Sequence, residues 1–386
     1  MVTMLARSLV PLIILLALTA QAFPITSSKS SKKSKITKRD RSSGGGFGAP
    51  KRSVPTTHKV DESASAAALI DFLLSFPSEG MGPESGTQVG LCSQTGIRGI
   101  YATRAFNKGD ILCRVPSDLA LALSDPKGDD VPTVAHAGRN FLTMYAHHAQ
   151  NSQTWAPYLT SLPTKDAQFG PTPDFFNSEE LELLEFPRLI HIAEQRKRDV
   201  EAVAAETEGL SVEDLQFATW LVTSRSFNIQ ISESDIGETV FDEEGRAIAK
   251  TKIKTLCVMV PYLDLVNHHS NQANAEVHII DPELDDAWFA LRATRPIDAG
   301  KEITICYGSG ADSSVELFSN YGFVPKENKI DAYMLRKGGE DCLKADQWSP
   351  TLEEDTFMLA ELEDGPLRTI LEFRARMKKA YGEIKS

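Results

Sequence analysis

The spacing of apolar positions changes period twice along the chain. Ser63 to Phe76 repeats apolar residues at helical intervals (Ala67, Leu69-Ile70, Leu73-Leu74) and stops at Pro77, which predicts one short helix. From Gln88 to Pro116, glycines at 90, 96, 99 and 109 punctuate β-branched and aromatic residues, the signature of short antiparallel strands. Residues 133–226 return to helical spacing. There Ser178 precedes Glu179, Glu180 and Leu181, and Ser211 opens a segment with Leu215, Ala218, Leu221 and Val222 on one face. After residue 251 alternation resumes and predicts strands at Thr255 to Val260, Glu276 to Ile280, Trp288 to Arg292 and Glu302 to Tyr307, with a turn at Asp298 to Lys301. From Thr351 onward a Leu/Arg/Lys-rich pattern is again helical.

These periods describe an α+β chain: a β fold of short strands over about residues 60–325, interrupted by an α-helical insertion at about 120–254, with a short C-terminal helical appendage at 326–386. ATRAFNKGDIL (102–112) echoes ATRPIDAGKEI (293–303), so both segments are expected to share one local geometry inside a single β domain that the helices divide. The run Glu194 to Glu208 alternates charge signs and reads as a solvated helix face.

Composition adds an address. Met1 to Ala22 carries a single charge, Arg7, then an apolar run from Leu9 and the small-x-small pattern Ala20-Gln21-Ala22, as a signal peptide does. The following FPITSSKSSKKSKITKR is rich in Ser and Lys without an acid, and Phe23 directly follows the cleavage pattern. Together they resemble the bipartite presequence of algae with complex plastids, which implies a stromal destination; a secreted protein with a basic linker is the alternative. Ser42 to Pro55, with its Gly44-Gly45-Gly46 run, reads as linker, so residues 23–59 precede the folded part. The first 52 residues hold ten basic side chains and one acid, leaving 31 basic against 52 acidic in the rest. An acidic body argues against nucleic-acid binding and suits a cationic protein partner. Five widely spaced cysteines without a CxxC pair indicate neither a disulfide framework nor a zinc knuckle, and read as buried thiols.

The chemistry concentrates in VPYLDLVNHHSNQAN (260–274). Adjacent His268 and His269 diverge on an extended or turning backbone, and His278 stands across a loop, so the three imidazoles make a poor zinc set. A structural Asn/His turn is the other plain reading. No GxSxG marks a nucleophile, and Gly96-Ile97-Arg98-Gly99 lacks the phosphate-loop frame.

What remains is an ordered set: Gly96 to Tyr101, Ser224-Arg225-Ser226-Phe227, Asp264 to His268, Cys306-Tyr307-Gly308 and Tyr321-Gly322-Phe323. With a helical block among them, these segments resemble the SET-domain protein methyltransferases, in particular the Rubisco lysine methyltransferase-like branch, over about residues 66–325. The resemblance implies S-adenosyl-L-methionine as cofactor. It implies that Gly96, Ile97, Arg98 and Gly99 lie along that cofactor, that Arg225 neutralises its carboxylate, and that Asn267 and His268 hold its amino-acid end and adenine. Tyr307 would be the active-site tyrosine, touching cofactor and orienting the target amine, with Asp264, Tyr321 and Phe323 toward a substrate lysine. The implied partner is a protein bearing that lysine; no metal, nucleic acid or stable membrane association is expected. The chain departs from the family at Arg98, at His269, in a Tyr307 to Tyr321 spacing one residue longer than expected, and in a short tail. A protein-histidine methyltransferase, a catalytically silent SET-like binding module and a secreted metal-binding protein are the competing readings.

Overall fold

The computed structural model describes residues 58–75, 86–123, 133–151, 155–165, 170–241, 247–280, 287–308, 310, 312–337 and 351–385. The presequence and Cys342 fall outside them. Strand β1 (His58–Val60) and helix α1 (Ala64–Leu74) lead into β2 (Thr87–Cys92), β3 (Arg98–Ala102), β4 (Ile111–Pro116) and β5 (Leu121–Ala122). Helices α2 (Val134–Asn151), α3 (Ala156–Ser161), α4 (Ser178–Leu183), α5 (Pro187–Ala205) and α6 (Val212–Arg225) form the insertion. Strands β6 (Ser226–Phe241), β7 (Ala247–Met259), β8 (Asn267–His268), β9 (Ala275–Ile280), β10 (Trp288–Ala293) and β11 (Glu302–Ile305) complete the β part. Helices α7 (Ser314–Tyr321), α8 (Lys329–Lys337), α9 (Leu352–Glu361) and α10 (Pro366–Lys385) close the chain.

Side-chain caps set several helix starts. Ser63 accepts from the amide of Ala66, Ser211 from that of Asp214, and Asn177, one residue before the expected Ser178, forms a reciprocal capping box with Glu180. The strands build three small sheets, in the orders β1-β2-β3-β11-β8, β4-β10-β9 and β5-β7-β6. All pairings are antiparallel except β11 with β8, which run parallel with Thr304 opposite Asn267 and Ile305 opposite His268. Their inner faces enclose the main core, including Leu73, Ile100, Leu112, Val260, Leu291 and Ile303.

The two echoing segments clasp each other about a local twofold axis. Phe106 and Ile297 exchange both backbone hydrogen bonds, at 2.8 and 3.0 Å. Gly109 N–H donates to the Ala293 carbonyl at 2.8 Å while Gly300 N–H donates to that of Ala102 at 2.7 Å. Each turn needs its glycine, because Gly109 and Gly300 sit at φ 92° and 81°.

Three expectations are refined. Strands resume at Ser226 rather than after residue 251, since Phe227, Ile229 and Ile231 alternate and β6 pairs with β7 from Ser226 opposite Met259 to Phe241 opposite Ala247. The short C-terminal appendage is helical as expected, and it packs on the insertion. Ile370, Phe373 and Met377 of α10 share a second core with Phe176, Leu184 and Phe186 of the insertion and Phe318 of α7. Within it Arg376 donates to Asp331 Oδ2 and to the Asn328 carbonyl, both at 2.6 Å, while Asp331 accepts from Ser314 N–H and Oγ at 2.7 and 2.8 Å. Of the described cysteines only Cys113 is fully buried; Cys92, Cys257 and Cys306 are partly accessible.

Candidate active site

The parallel pairing of β8 with β11 brings Asn267 and His268 beside the Gly96–Gly99 strand. The Asn267 side-chain amide donates to the Arg98 carbonyl at 2.9 Å and to Glu302 Oε1 at 2.8 Å. A Cβ on Gly99 would stand 2.7 Å from each of these two side chains. Gly99 therefore makes room for the Asn267 clamp, whereas the space over Gly96, at φ 70°, is open. Arg98 turns its side chain away, to Asp61 at 2.7 Å and to the Ser161 carbonyl of α3 at 3.1 Å, and Ile97 is exposed.

Behind this clamp four rings gather. Tyr307 lies 5.2 Å from His268 and 4.6 Å from Tyr321, centroid to centroid, and Phe323 lies 5.6 Å from His268. Gly322 makes the approach possible: it caps α7 in the left-handed region at φ 74°, and any side chain there would run into the Gly170 carbonyl. The His268 ring is pinned at both nitrogens. Nδ1 accepts from Tyr307 N–H at 2.9 Å, so Nε2 carries the proton and faces Ser270 Oγ at 2.8 Å. Burial, with neighbouring His269, lowers its pKa to about 4 and keeps it neutral. The Tyr307 hydroxyl donates to the Val266 carbonyl at 2.8 Å. Burial holds this phenol protonated, well above the ordinary range, against the pull of the Arg225 charge.

Arg225 ends α6 next to Asp264. Its Nη1 donates to the Asp264 main-chain carbonyl at 3.1 Å, and its Nε is buried without a partner. The Asp264 carboxylate, placed by a turn that holds Tyr262 at φ 72°, is wholly enclosed. Its Oδ2 accepts from the Tyr158 hydroxyl at 2.9 Å, and Oδ1 has no partner. Burial raises its pKa to about 6, opposed by Arg225 and Tyr158.

The structure thus gathers Arg225, Asn267, His268, Tyr307, Tyr321 and Phe323, and adjoins them to Gly99 and the Arg98 backbone. It does not place the Arg98 side chain in the site. The Asp264 carboxylate, expected to face substrate, instead lies beneath Arg225, because Tyr158 and the helical turn at 263–265 draw it inward. His269, a departure from the family pattern, caps the loop that follows, Nδ1 accepting from Gln272 N–H at 3.0 Å. Among the described residues no three His, Cys, Asp or Glu side chains come together as a metal-ligand set. Sequence reasoning missed Tyr158 and Glu302. Tyr158 belongs to no motif, and although Glu302 opens an expected strand, only the fold brings its carboxylate to Asn267.

The SET domain family matches residues 97–308, more than half of the chain, a span that holds Gly99, Arg225, Asn267, His268 and Tyr307. The chain belongs to the SET domain family. Among solved structures, this SET domain is similar to the SET domain of LSMT bound to lysine and AdoHcy, with a TM-score of 0.58 at 14% identity over 84% of this chain and 90% of that one. It is similar to Rubisco LSMT bound to AdoMet, with a TM-score of 0.56 and 14% identity over 83% of this chain. At that identity the likeness concerns the fold. No curated protein sequence matches the chain.

Proposed function

We propose that this SET domain is an S-adenosylmethionine-dependent protein methyltransferase whose acceptor is a lysine side chain. One observation carries the reading: Arg225 ends its helix with one nitrogen committed to the Asp264 carbonyl and a buried Nε left unpartnered, a guanidinium edge set for a carboxylate, against the Asn267, His268 and Tyr307 cluster. S-adenosylmethionine has a carboxylate and, when bound, supplies a sulfonium methyl group open to attack by an amine. The chain's residues fit it. Arg225 would hold the carboxylate, and the strand carrying Gly99, tied to Asn267, would flank the ligand.

The remaining tasks are alignment and desolvation. Tyr307, fixed by its bond to Val266 and screened by Tyr321 and Phe323, would present a neutral hydroxyl and an aromatic wall to the acceptor. A lysine ammonium loses its proton more readily in such dry surroundings, and only the neutral amine attacks carbon. His268, neutral and pinned at both nitrogens, supports the Tyr307 backbone rather than moving protons. The acidic body and the presequence pattern support a cationic protein acceptor met in the plastid stroma. A fluorescent fusion of residues 1–59 that is secreted would overturn the address.

Labelled methyl transfer from S-adenosylmethionine to stromal protein, read by mass spectrometry, tests the activity. Label on lysine is the expected result. Label on histidine alone would move the acceptor class, and no label with intact cofactor binding would favour a silent module. Tyr307→Phe should depress turnover and spare cofactor affinity.

A further inference from the structure

A buried carboxylate 3.9 Å from a guanidinium nitrogen ordinarily closes into a two-pronged pair. Here it does not. Asp264 Oδ2 is taken by Tyr158, Arg225 Nη1 is taken by the Asp264 main-chain carbonyl, and Oδ1 and Nε are both left buried without partners. Leaving two such atoms unsatisfied is costly unless something holds them apart for use. Tyr158 is fully buried on α3, and α3 is fastened to β3 by Arg98 on the Ser161 carbonyl. The tether therefore runs from the strand of the Gly96–Gly99 turn, through the insertion, to Arg225.

We propose that Tyr158 is a positioning residue: by holding the Asp264 carboxylate away from Arg225 it keeps the guanidinium edge open for the carboxylate of an amino-acid-bearing ligand. The inference rests on the methyltransferase reading of this site and gives the helical insertion a part in cofactor affinity. It also couples binding to protons. The charged and titratable groups facing Asp264 are Arg225 from α6, Tyr158 from α3, Arg98 from β3 and Tyr307 after β11. An incoming carboxylate is a second anion beside Asp264, so it favours protonated Asp264, and binding takes up a proton. Affinity for such a ligand falls as the pH rises above about 6.

The test uses the full chain and two probes, S-adenosylhomocysteine, which has the carboxylate, and 5′-methylthioadenosine, which lacks it. Titration calorimetry of the wild type should show weaker S-adenosylhomocysteine binding at about pH 8 than at about pH 6, and no such trend for methylthioadenosine. Tyr158→Phe should weaken S-adenosylhomocysteine by about tenfold at the higher pH, the scale of one disturbed charge-assisted contact, and leave methylthioadenosine unchanged. Asp264→Asn should abolish the pH trend. If the wild type binds neither probe, the methyltransferase reading fails and takes the inference with it. Should it bind both, a flat wild-type pH trend, or an equal loss of both probes in Tyr158→Phe, overturns the positioning role alone. The wild-type trend decides even where a variant does not fold.

Discussion

Gly99→Ala probes the clamp between β3 and β8. The new Cβ would meet Asn267 Nδ2 and Glu302 Oε1 at 2.7 Å each, closer than real side-chain carbons approach such atoms. Neither neighbour can yield freely, because the same Asn267 nitrogen already bonds the Arg98 carbonyl and Glu302. If the amide swings out, the protein loses one neutral hydrogen bond, about 1 kcal/mol, and one to a carboxylate, about 1.5–3 kcal/mol. Alanine returns about 0.4–1 kcal/mol by restricting the unfolded chain. The net expectation is a destabilisation of about 2–3 kcal/mol, read as a lower midpoint in guanidinium unfolding at unchanged slope. Gly96→Ala is the control: its Cβ would meet nothing within 4 Å, so only the left-handed backbone, at about 1–2 kcal/mol, opposes it. Asn267→Ala supplies the cycle, since Gly99→Ala should cost less where the amide is already absent. A wild-type midpoint for Gly99→Ala, or an undiminished penalty in the Asn267→Ala background, would refute the reasoning.

Arg376→Ala strands the enclosed Asp331, and thermal unfolding should report a loss of about 3–5 kcal/mol, as for a broken buried pair; a shift under about 1 kcal/mol would show that Ser314 alone satisfies the carboxylate. His268 has a depressed folded pKa, so its contribution to stability is present above about 6.5 and lost as pH falls toward about 4. Nitrogen NMR of its imidazole should accordingly show a neutral ring at pH 5.5, and titration near 6.5 would contradict the burial account. Cys92, whose thiol is pushed down by the Thr95 hydroxyl and turn amides, should react with iodoacetamide before Cys113, whose thiol burial pushes up to about 12; equal rates in the folded protein would disprove the ordering.

Elements governed by neighbours in the chain were legible. Ser63 and Ser211 announce helices because the capped amides lie three residues on, and the short apolar and β-branched runs after residue 254 mark β9, β10 and β11. The far arm of β6 was not legible: ESDIGET is poor in β-formers, and only the pairing of its ends with β7, at Ser234 with Thr251 and Thr239 with Ala249 across a register shift, carries the strand through. Arg374, Arg376 and Lys378 look like a solvated face until Asp331 and Asp355 are brought against them from other helices. Within the site, Arg225, Asn267, His268, Tyr307, Tyr321 and Phe323 stand in quotable segments. Tyr158 meets its partner 106 residues away, and no local pattern marks a tyrosine for that role. The resemblance sets Gly99 along the cofactor, whereas the groups that crowd it in the fold are the side chains of Asn267 and Glu302.

The clasp between the echoing turns bears on how the chain reaches its native state. Ala102 meets Gly300, Phe106 meets Ile297 and Gly109 meets Ala293 only after the whole insertion has been brought back on itself. Helices α2 to α6 are held by short-range hydrogen bonds and can form early, though the core that α4 and α5 share with α10 closes later, and the β part must wait for closure of a very long loop. During that wait, β3 lacks β11 along one edge and β4 lacks β10, so both stand with open edges. Refolding from denaturant should therefore recover helical signal well before cofactor binding, and variants that slow the clasp will show themselves first as aggregation.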